Sequence, residues 1–176
     1  LRVGTHVTYR AGDQPNNAFS LNVFKKGQTA LSGGTSGVIY SLTDFQSVKK
    51  NLKLNYFAHI DYSDKVRSIG ELACINGAGA MLKWLKNLFG ENSYQNMDKI
   101  AATTSIGSNK LAVFPFGNGS ERILDNQNIG GQFSSINFNT HSKAQFFRAT
   151  IEGIAFSFVY TMGIMKKNNY SFKNLK

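Results

Sequence analysis

The chain is poor in side chains that form covalent or metal cross-links, with one cysteine and three histidines among 176 residues. Cys74 has no second cysteine with which to form an internal disulfide, which argues against a cysteine-stapled secreted domain and for a reducing compartment. One thiol and three scattered imidazoles also cannot supply a zinc site. We therefore expect a cytoplasmic protein with no metal site built from these side chains.

Long hydrophobic runs are also missing. The most apolar stretch, residues 151–165, is shorter than a bilayer-spanning helix and contains Glu152. Residues 1–14 carry charged side chains and lack the apolar core of a secretory signal. The sequence therefore predicts no membrane association. It begins with Leu1 rather than methionine, so we expect a processed, truncated or excised chain.

Acidic residues are half as frequent as basic ones, and the formal net charge is +10. Such a charge suits either a nucleic-acid or membrane surface or a positive field that attracts small phosphorylated ligands. The lysines occur as short pairs such as Lys25-Lys26 and Lys49-Lys50, without the interleaved aromatic side chains of a recognition module. We therefore expect no nucleic-acid partner. The 41% of hydrophobic residues is typical of a folded globular domain.

Hydrophobic periodicity and turn residues predict a mixed α/β domain. The apolar run over residues 29–42 is split by glycines, which predicts two antiparallel strands joined by a tight turn. The other predicted elements are a short helix from Pro15, a short strand near 56–60, a helix over 69–88, a helix or loop near 94–102, strands at 111–116 and 132–138, and a long helix from Ser142 to about Lys167.

Common nucleotide-binding and hydrolase motifs, including the Walker A loop and the nucleophile elbow, are absent. His59, Asp61 and Asp64 match no common cation site and indicate a surface loop or strand end. Two other segments have both a functional and a structural interpretation. The turn 33–37 is either a phosphate-binding hairpin, because glycines expose backbone N–H groups, or a plain β-turn. Asp13 is either a general base or a helix N-cap.

Several segments follow one another in a characteristic order. They are Asp13-Gln14, Gly34-Thr35-Ser36-Gly37, Gly77-Ala78-Gly79-Ala80 with Leu82 and Trp84, Phe114-Pro115-Phe116 with Gly119-Ser120-Glu121-Arg122, Gly131-Gln132-Phe133, Gln145-Phe146, and Arg148 to Gly153. This order and spacing resemble the carboxyl-terminal half of the FGGY carbohydrate kinases over nearly the whole chain. Ser120, inserted before Glu121, and Ser135, where that family commonly has glycine, depart from the pattern.

The resemblance implies a ribonuclease-H-like lobe of the actin-like ATPase fold, with a mixed sheet and flanking helices. Residues 1–18 would then lie at the end of the amino-terminal lobe or between the lobes and carry the catalytic aspartate. Residues 19–176 would form part of the carboxyl-terminal lobe. The resemblance also implies that the first phosphate hairpin precedes Leu1 and that the adenine-binding glycine motif follows Lys176, so that the chain alone is inactive.

The resemblance further implies ATP-dependent phosphorylation of a sugar hydroxyl, with D-xylulose as the first candidate and Mg²⁺ accompanying ATP. Asp13 would be the catalytic base and contact the sugar together with Gln14. The implied nucleotide-binding residues are Gly34, Thr35, Ser36, Gly79 and Lys83, and no protein metal ligand is implied. A homodimer is compatible with this assignment.

Other functions stay open at the level of sequence. Kinases of glycerol, gluconate or ribulose share the same fold, and a non-catalytic nucleotide- or sugar-binding module could descend from that fold. A basic nucleic-acid-binding domain is the third alternative and depends only on the charge. Arg148 and Glu152, four residues apart, predict an ion pair within a helix. Trp84 is predicted to lie in the core.

Overall fold

A computed structural model describes residues 2–6, 11–48, 51–167 and 170–176. The helices in this part of the chain are α1 (Asp13–Ser20), α2 (Ala78–Leu88), α3 (Tyr94–Ala101) and α4 (Lys143–Lys167). The strands are β1 (Gln28–Gly33), β2 (Gly37–Asp44), β3 (Asn55–Ala58), β4 (Ser68–Ile75), β5 (Ala112–Phe116), β6 (Gly130–Ser134) and β7 (Asn174–Leu175).

The main sheet has the strand order β3-β4-β2-β1-β7. β1 and β2 form the predicted antiparallel pair, whose register ends with Gly33 opposite Gly37. β4 is antiparallel to β2 and β3, whereas β7 pairs with β1 in parallel. The sheet is therefore mixed, and the prediction of a mixed α/β domain with flanking helices is confirmed.

The sheet is covered on both faces. Ala18 of α1 packs with Tyr40 and Leu72 on one face, whereas Met165 of α4 packs with Ile39 and Ala73 on the other. A second, two-stranded sheet of β5 and β6 lies against α4. Alternate residues of β2 thus face different layers, so this strand is buried along nearly its whole length.

The predicted helix over residues 69–88 is wrong in its first half, which forms β4. Because β4 is buried on both faces, its apolar run has no period of two, and such a run cannot be distinguished from a buried helix by spacing. Gly77, at a φ of 104°, separates β4 from α2. Trp84 is 52% exposed, so its predicted place in the core is also wrong.

The predicted strand over residues 132–138 is shorter than expected and begins earlier. β6 ends at Ser134 because Ser135 adopts a φ of 64°, outside the extended region. Ile136 and Phe138, which suggested that the strand continued, are exposed.

The long helix α4 follows its predicted signals. Gln145 Oε1 accepts hydrogen bonds from the backbone N–H and the hydroxyl of Ser142, at 2.8 and 2.9 Å, so Ser142 begins the helix as expected. The predicted ion pair joins Arg148 Nε to Glu152 Oε1 at 2.7 Å. No helix in the described ranges combines the length and the apolar character that crossing a bilayer requires.

Candidate functional site

The turn between β1 and β2 presents Thr35 to solvent. The Gly34 N–H donates to the Ser36 carbonyl oxygen at 3.1 Å and closes the turn. Gly34 and Thr35 are exposed, whereas Ser36 is half-buried. The N–H and the hydroxyl of Thr35 have no hydrogen-bond partner among the residues that the structure describes. Free donors on an exposed glycine-rich turn are what binding of a phosphate group requires.

The amino terminus of α2 holds this turn. The N–H groups of Gly79 and Ala80 donate to the carbonyl oxygens of Gly34 and Thr35, both at 3.1 Å. These are two of the donors that the first turn of a helix leaves without a partner inside the helix. A Cβ atom on Gly79 would overlap sterically with the Gly34 carbonyl oxygen. The missing side chain at Gly79 therefore permits close approach of the turn backbone.

Replacing Gly79 by alanine should lower the free energy of unfolding by about 1–3 kcal/mol, the usual effect of forcing extra atoms into a packed contact. The added methyl group meets backbone, which cannot rotate away as a side chain can. Chemical denaturation with circular-dichroism detection measures the change. Gly163→Ala in α4 is the matched control, because its Cβ meets nothing within 4 Å. The control should be neutral or stabilising, and an equal loss in both variants would contradict the steric explanation.

An open pocket of about 680 Å³ lies beside the turn and runs along α2. Its lining brings together four of the predicted nucleotide-binding residues, namely Gly34, Thr35, Gly79 and Lys83. The Lys83 side chain is exposed and has no ion-pair partner in the described part of the chain. A cation without a counter-charge, placed beside free N–H and O–H donors, favours a ligand with several negative charges.

The other predicted residues lie outside this pocket. Asp13 is exposed and is the first residue of α1, whereas Gly12 occupies the N-cap position. Asp13 Oδ1 accepts the Gln14 N–H at 2.9 Å, and Asp13 Oδ2 accepts Gln14 Nε2 at 3.3 Å. Asp13 is therefore not the N-cap residue, although its carboxylate still binds an N–H group of the first turn.

Cys74 packs against the cluster that contains Ala18 of α1, and its thiol reaches the turn only through Asn76. Burial, the nearby Glu121 carboxylate and, more weakly, the Asp13 carboxylate raise the pKa of the Cys74 thiol to about 11. The thiol donates to Asn76 Oδ1 at 3.3 Å, and the same oxygen accepts the Ser36 hydroxyl at 3.2 Å. Ser36 is thus bonded to the segment 74–76, whereas the Asp13 carboxylate acts on this segment only through its charge.

Sequence reasoning missed Cys74, Asn76 and Glu121 as residues near the site. A usable signal existed for Asn76, a polar residue at the end of an apolar run and immediately before a glycine. The incorrect helix over residues 69–88 hid this signal. Functional side chains are common on polar residues at strand ends, whereas an isolated polar residue within a helix gives no such indication.

No protein-family model matches the chain. Among curated proteins, it is 30% identical over 165 residues to a xylulose kinase of Staphylococcus epidermidis, an alignment that covers 93% of this chain and 32% of that protein. It is 28% identical over 163 residues to a gluconokinase of Bacillus subtilis, covering 86% and 30%. The chain therefore spans about a third of the length of these relatives.

Solved structures share the fold. The xylulose kinase of Rhodospirillum rubrum aligns with a TM-score of 0.77 at 21% identity, over 89% of this chain and 31% of that one. The glycerol kinase of Plasmodium falciparum, solved with ADP, aligns with a TM-score of 0.78 at 17% identity, over 94% and 34%. The prediction of a lobe of the actin-like ATPase fold is confirmed.

Proposed function

We propose that this chain belongs to the carbohydrate kinases and forms part of an enzyme that phosphorylates a sugar hydroxyl with ATP, because it is similar to curated xylulose kinases and gluconokinases over most of its length. The observation that carries the proposal is the exposed turn at Thr35, whose free donors face the same pocket as Lys83. D-Xylulose is the first candidate substrate, since several curated xylulose kinases cover most of the chain. Gluconate is the second candidate.

On the sugar side, Asp13 is the proposed general base. Its exposed carboxylate takes the proton of the attacking sugar hydroxyl as that oxygen bonds to the γ-phosphorus of ATP and the bond from this phosphorus to the leaving ADP breaks. Gln14 Nε2 donates to Asp13 Oδ2, and Gln14 Oε1, which has no hydrogen-bond partner among the described residues, would accept a hydrogen bond from another sugar hydroxyl. A base of this kind contributes about 10²–10⁴-fold to the rate.

On the nucleotide side, Thr35 donates its N–H and hydroxyl to the β- or γ-phosphate, and Lys83 adds a positive charge. Gly34 and Ser36 shape the turn, and Gly79 brings it against α2. These donors fit a polyphosphate, because phosphoryl transfer depends mostly on positioning and charge neutralisation.

Mg²⁺ bound with ATP would supply part of that neutralisation. The described residues contain no group of three or more His, Cys, Asp or Glu side chains that could enclose a metal ion. This fits Mg²⁺, which usually keeps several waters and is held by substrate phosphates and one or two carboxylates. We further propose a cytoplasmic enzyme, in keeping with ATP as its phosphoryl donor.

The test is sugar-dependent release of ADP by the full-length protein, measured with D-xylulose, gluconate and glycerol in parallel. We expect the highest kcat/KM with D-xylulose. A preference for gluconate would reassign the substrate and leave the class intact. ADP binding without turnover on any sugar would instead support a non-catalytic binding module.

Thr35→Val tests the nucleotide side. It keeps the shape of the side chain but removes the hydroxyl, and a hydrogen bond to a charged group contributes about 1.5–3 kcal/mol. We therefore expect the KM for ATP to rise by about tenfold or more, with a smaller change in the KM for the sugar. Thr35→Ser retains the hydroxyl and should remain close to wild type. A KM for ATP unaffected by Thr35→Val would remove Thr35 from the proposed site.

A further inference from the structure

Asn76 lies between β4 and α2 and is bonded to the phosphate-binding turn through its side chain. Its Oδ1 atom accepts the Ser36 hydroxyl at 3.2 Å and the Cys74 thiol at 3.3 Å. Two donors on one oxygen fix the carboxamide plane more firmly than either bond would alone. Asn76 therefore links Ser36 of the turn to Cys74 of β4.

The turn is consequently attached at each of its three residues to the single segment 76–80. Gly34 and Thr35 are attached through their carbonyl oxygens, which accept the N–H groups of Gly79 and Ala80. Ser36 is attached through its hydroxyl, which donates to Asn76. These bonds use the carbonyl oxygens and the serine hydroxyl, and they leave the N–H and hydroxyl of Thr35 available to a ligand.

Cys74 completes the arrangement as a hydrogen-bond donor. Burial and the neighbouring carboxylates of Glu121 and Asp13 keep the thiol protonated at neutral pH, with a pKa near 11. A protonated thiol can donate to Asn76 Oδ1, whereas a thiolate would repel that oxygen. The Asn76 carboxamide is thus held between a donor on β4 and a donor on the turn.

We propose that Asn76 is a positioning residue for the phosphoryl donor, because it fixes Ser36 and so directs the free donors of Thr35 toward the nucleotide. This inference rests on the proposed function. It assigns a role in nucleotide binding to a residue that does not line the pocket beside the turn.

A double-mutant cycle in the full-length protein tests the proposal, with Asn76→Ala, Ser36→Ala and the double variant. Calorimetry gives the Kd for ADP, steady-state kinetics give the KM values for ATP and sugar, and hydrogen exchange followed by mass spectrometry reports on residues 33–37 without nucleotide. Asn92→Ala, at an exposed asparagine in the loop between α2 and α3, is the matched control.

We expect each single variant to weaken ADP binding and raise the KM for ATP by about threefold to tenfold, the range for one neutral hydrogen bond. The KM for the sugar should change by less than twofold. A change of this size is about the scatter of such measurements and is smaller than the effect of a lost hydrogen bond. The double variant should be no worse than the weaker-binding single variant, since both remove the same bond. Exchange at the turn should accelerate in Asn76→Ala and remain normal in Asn92→Ala.

Three results would overturn the inference. Faster exchange with unchanged ADP affinity would show that Asn76 supports only the fold. Additive losses in the double variant would show that Asn76 and Ser36 act independently. An unchanged exchange rate in Asn76→Ala would show that Asn76 does not hold the turn, whatever the nucleotide result. Absence of ADP binding by the wild-type protein is distinguishable from these, because it overturns the proposed function and this role with it.

Discussion

Asp13→Asn should reduce kcat for sugar phosphorylation by about 10²–10⁴-fold in the full-length protein and leave ADP affinity nearly unchanged. Asparagine keeps the shape of the side chain and one oxygen that can accept the Gln14 N–H, so α1 should begin as before. It cannot take up the proton of the attacking hydroxyl. Asp13 does not line the pocket beside Thr35, so nucleotide binding should be spared.

Steady-state kinetics with the preferred sugar and calorimetry with ADP separate these effects. Asp98→Asn removes an exposed carboxylate of α3 and controls for the change in net charge. If Asp13→Asn kept turnover within about tenfold of wild type, less than a general base usually contributes, Asp13 would be reduced to a carboxylate that stabilises the first turn of α1.

Glu71→Gln should stabilise the protein at pH 8 by up to about 3 kcal/mol, the free-energy equivalent of the pKa difference described next. Glu71 lies on β4, opposite Ser41 of β2, and is 2% exposed. Within the described residues its Oε2 atom has no hydrogen-bond partner. Burial accordingly raises the pKa of Glu71 from 4.5 to about 7. Ionising this carboxylate inside the sheet layer is unfavourable, and glutamine removes that cost.

The direction of the pH dependence follows from the raised pKa. In the unfolded chain Glu71 loses its proton near pH 4.5, whereas in the folded protein it holds the proton up to about pH 7. Its contribution to the free energy of unfolding is therefore complete below pH 4.5 and is lost as the pH rises through 7. The difference between Glu71→Gln and wild type should be small at pH 4.5 and should increase up to pH 8.

Urea denaturation between pH 4.5 and pH 8 measures this difference, and Asp98→Asn again serves as the control for an exposed carboxylate. Taking the difference between variants cancels other titrations, including that of His59, whose pKa burial lowers. A difference that does not vary with pH would mean that Glu71 ionises normally in the folded protein.

Local signals in the sequence were sufficient where one short stretch of chain determines the structure. The glycines at 33–37 give the turn between β1 and β2, and Ser142 with Gln145 gives the start of α4. The residues 69–75 could not be assigned in this way. Their burial depends on covering by both α1 and α4, which are distant in sequence, and a strand buried on both faces loses its alternating pattern.

The residues of the candidate site were likewise predictable only in part. The family resemblance implies one nucleotide site for Thr35, Gly79 and Lys83, and the structure brings these residues to one pocket. Their catalytic and binding roles stay predictions. The part played by Asn76 was out of reach, because its bond to Ser36 joins residues 40 positions apart and depends on the register between β2 and β4.

The attachment of the turn to α2 also bears on how such an enzyme could change its substrate. Among the described residues, the hydrogen bonds that attach residues 34–36 to another segment come from Asn76, Gly79 and Ala80, and none comes from the α1 segment that carries Asp13 and Gln14. Substitutions near α1 can therefore alter recognition of the acceptor without displacing the donor site. A directed-evolution library restricted to residues 11–17 should accordingly yield altered sugar preference at nearly constant KM for ATP.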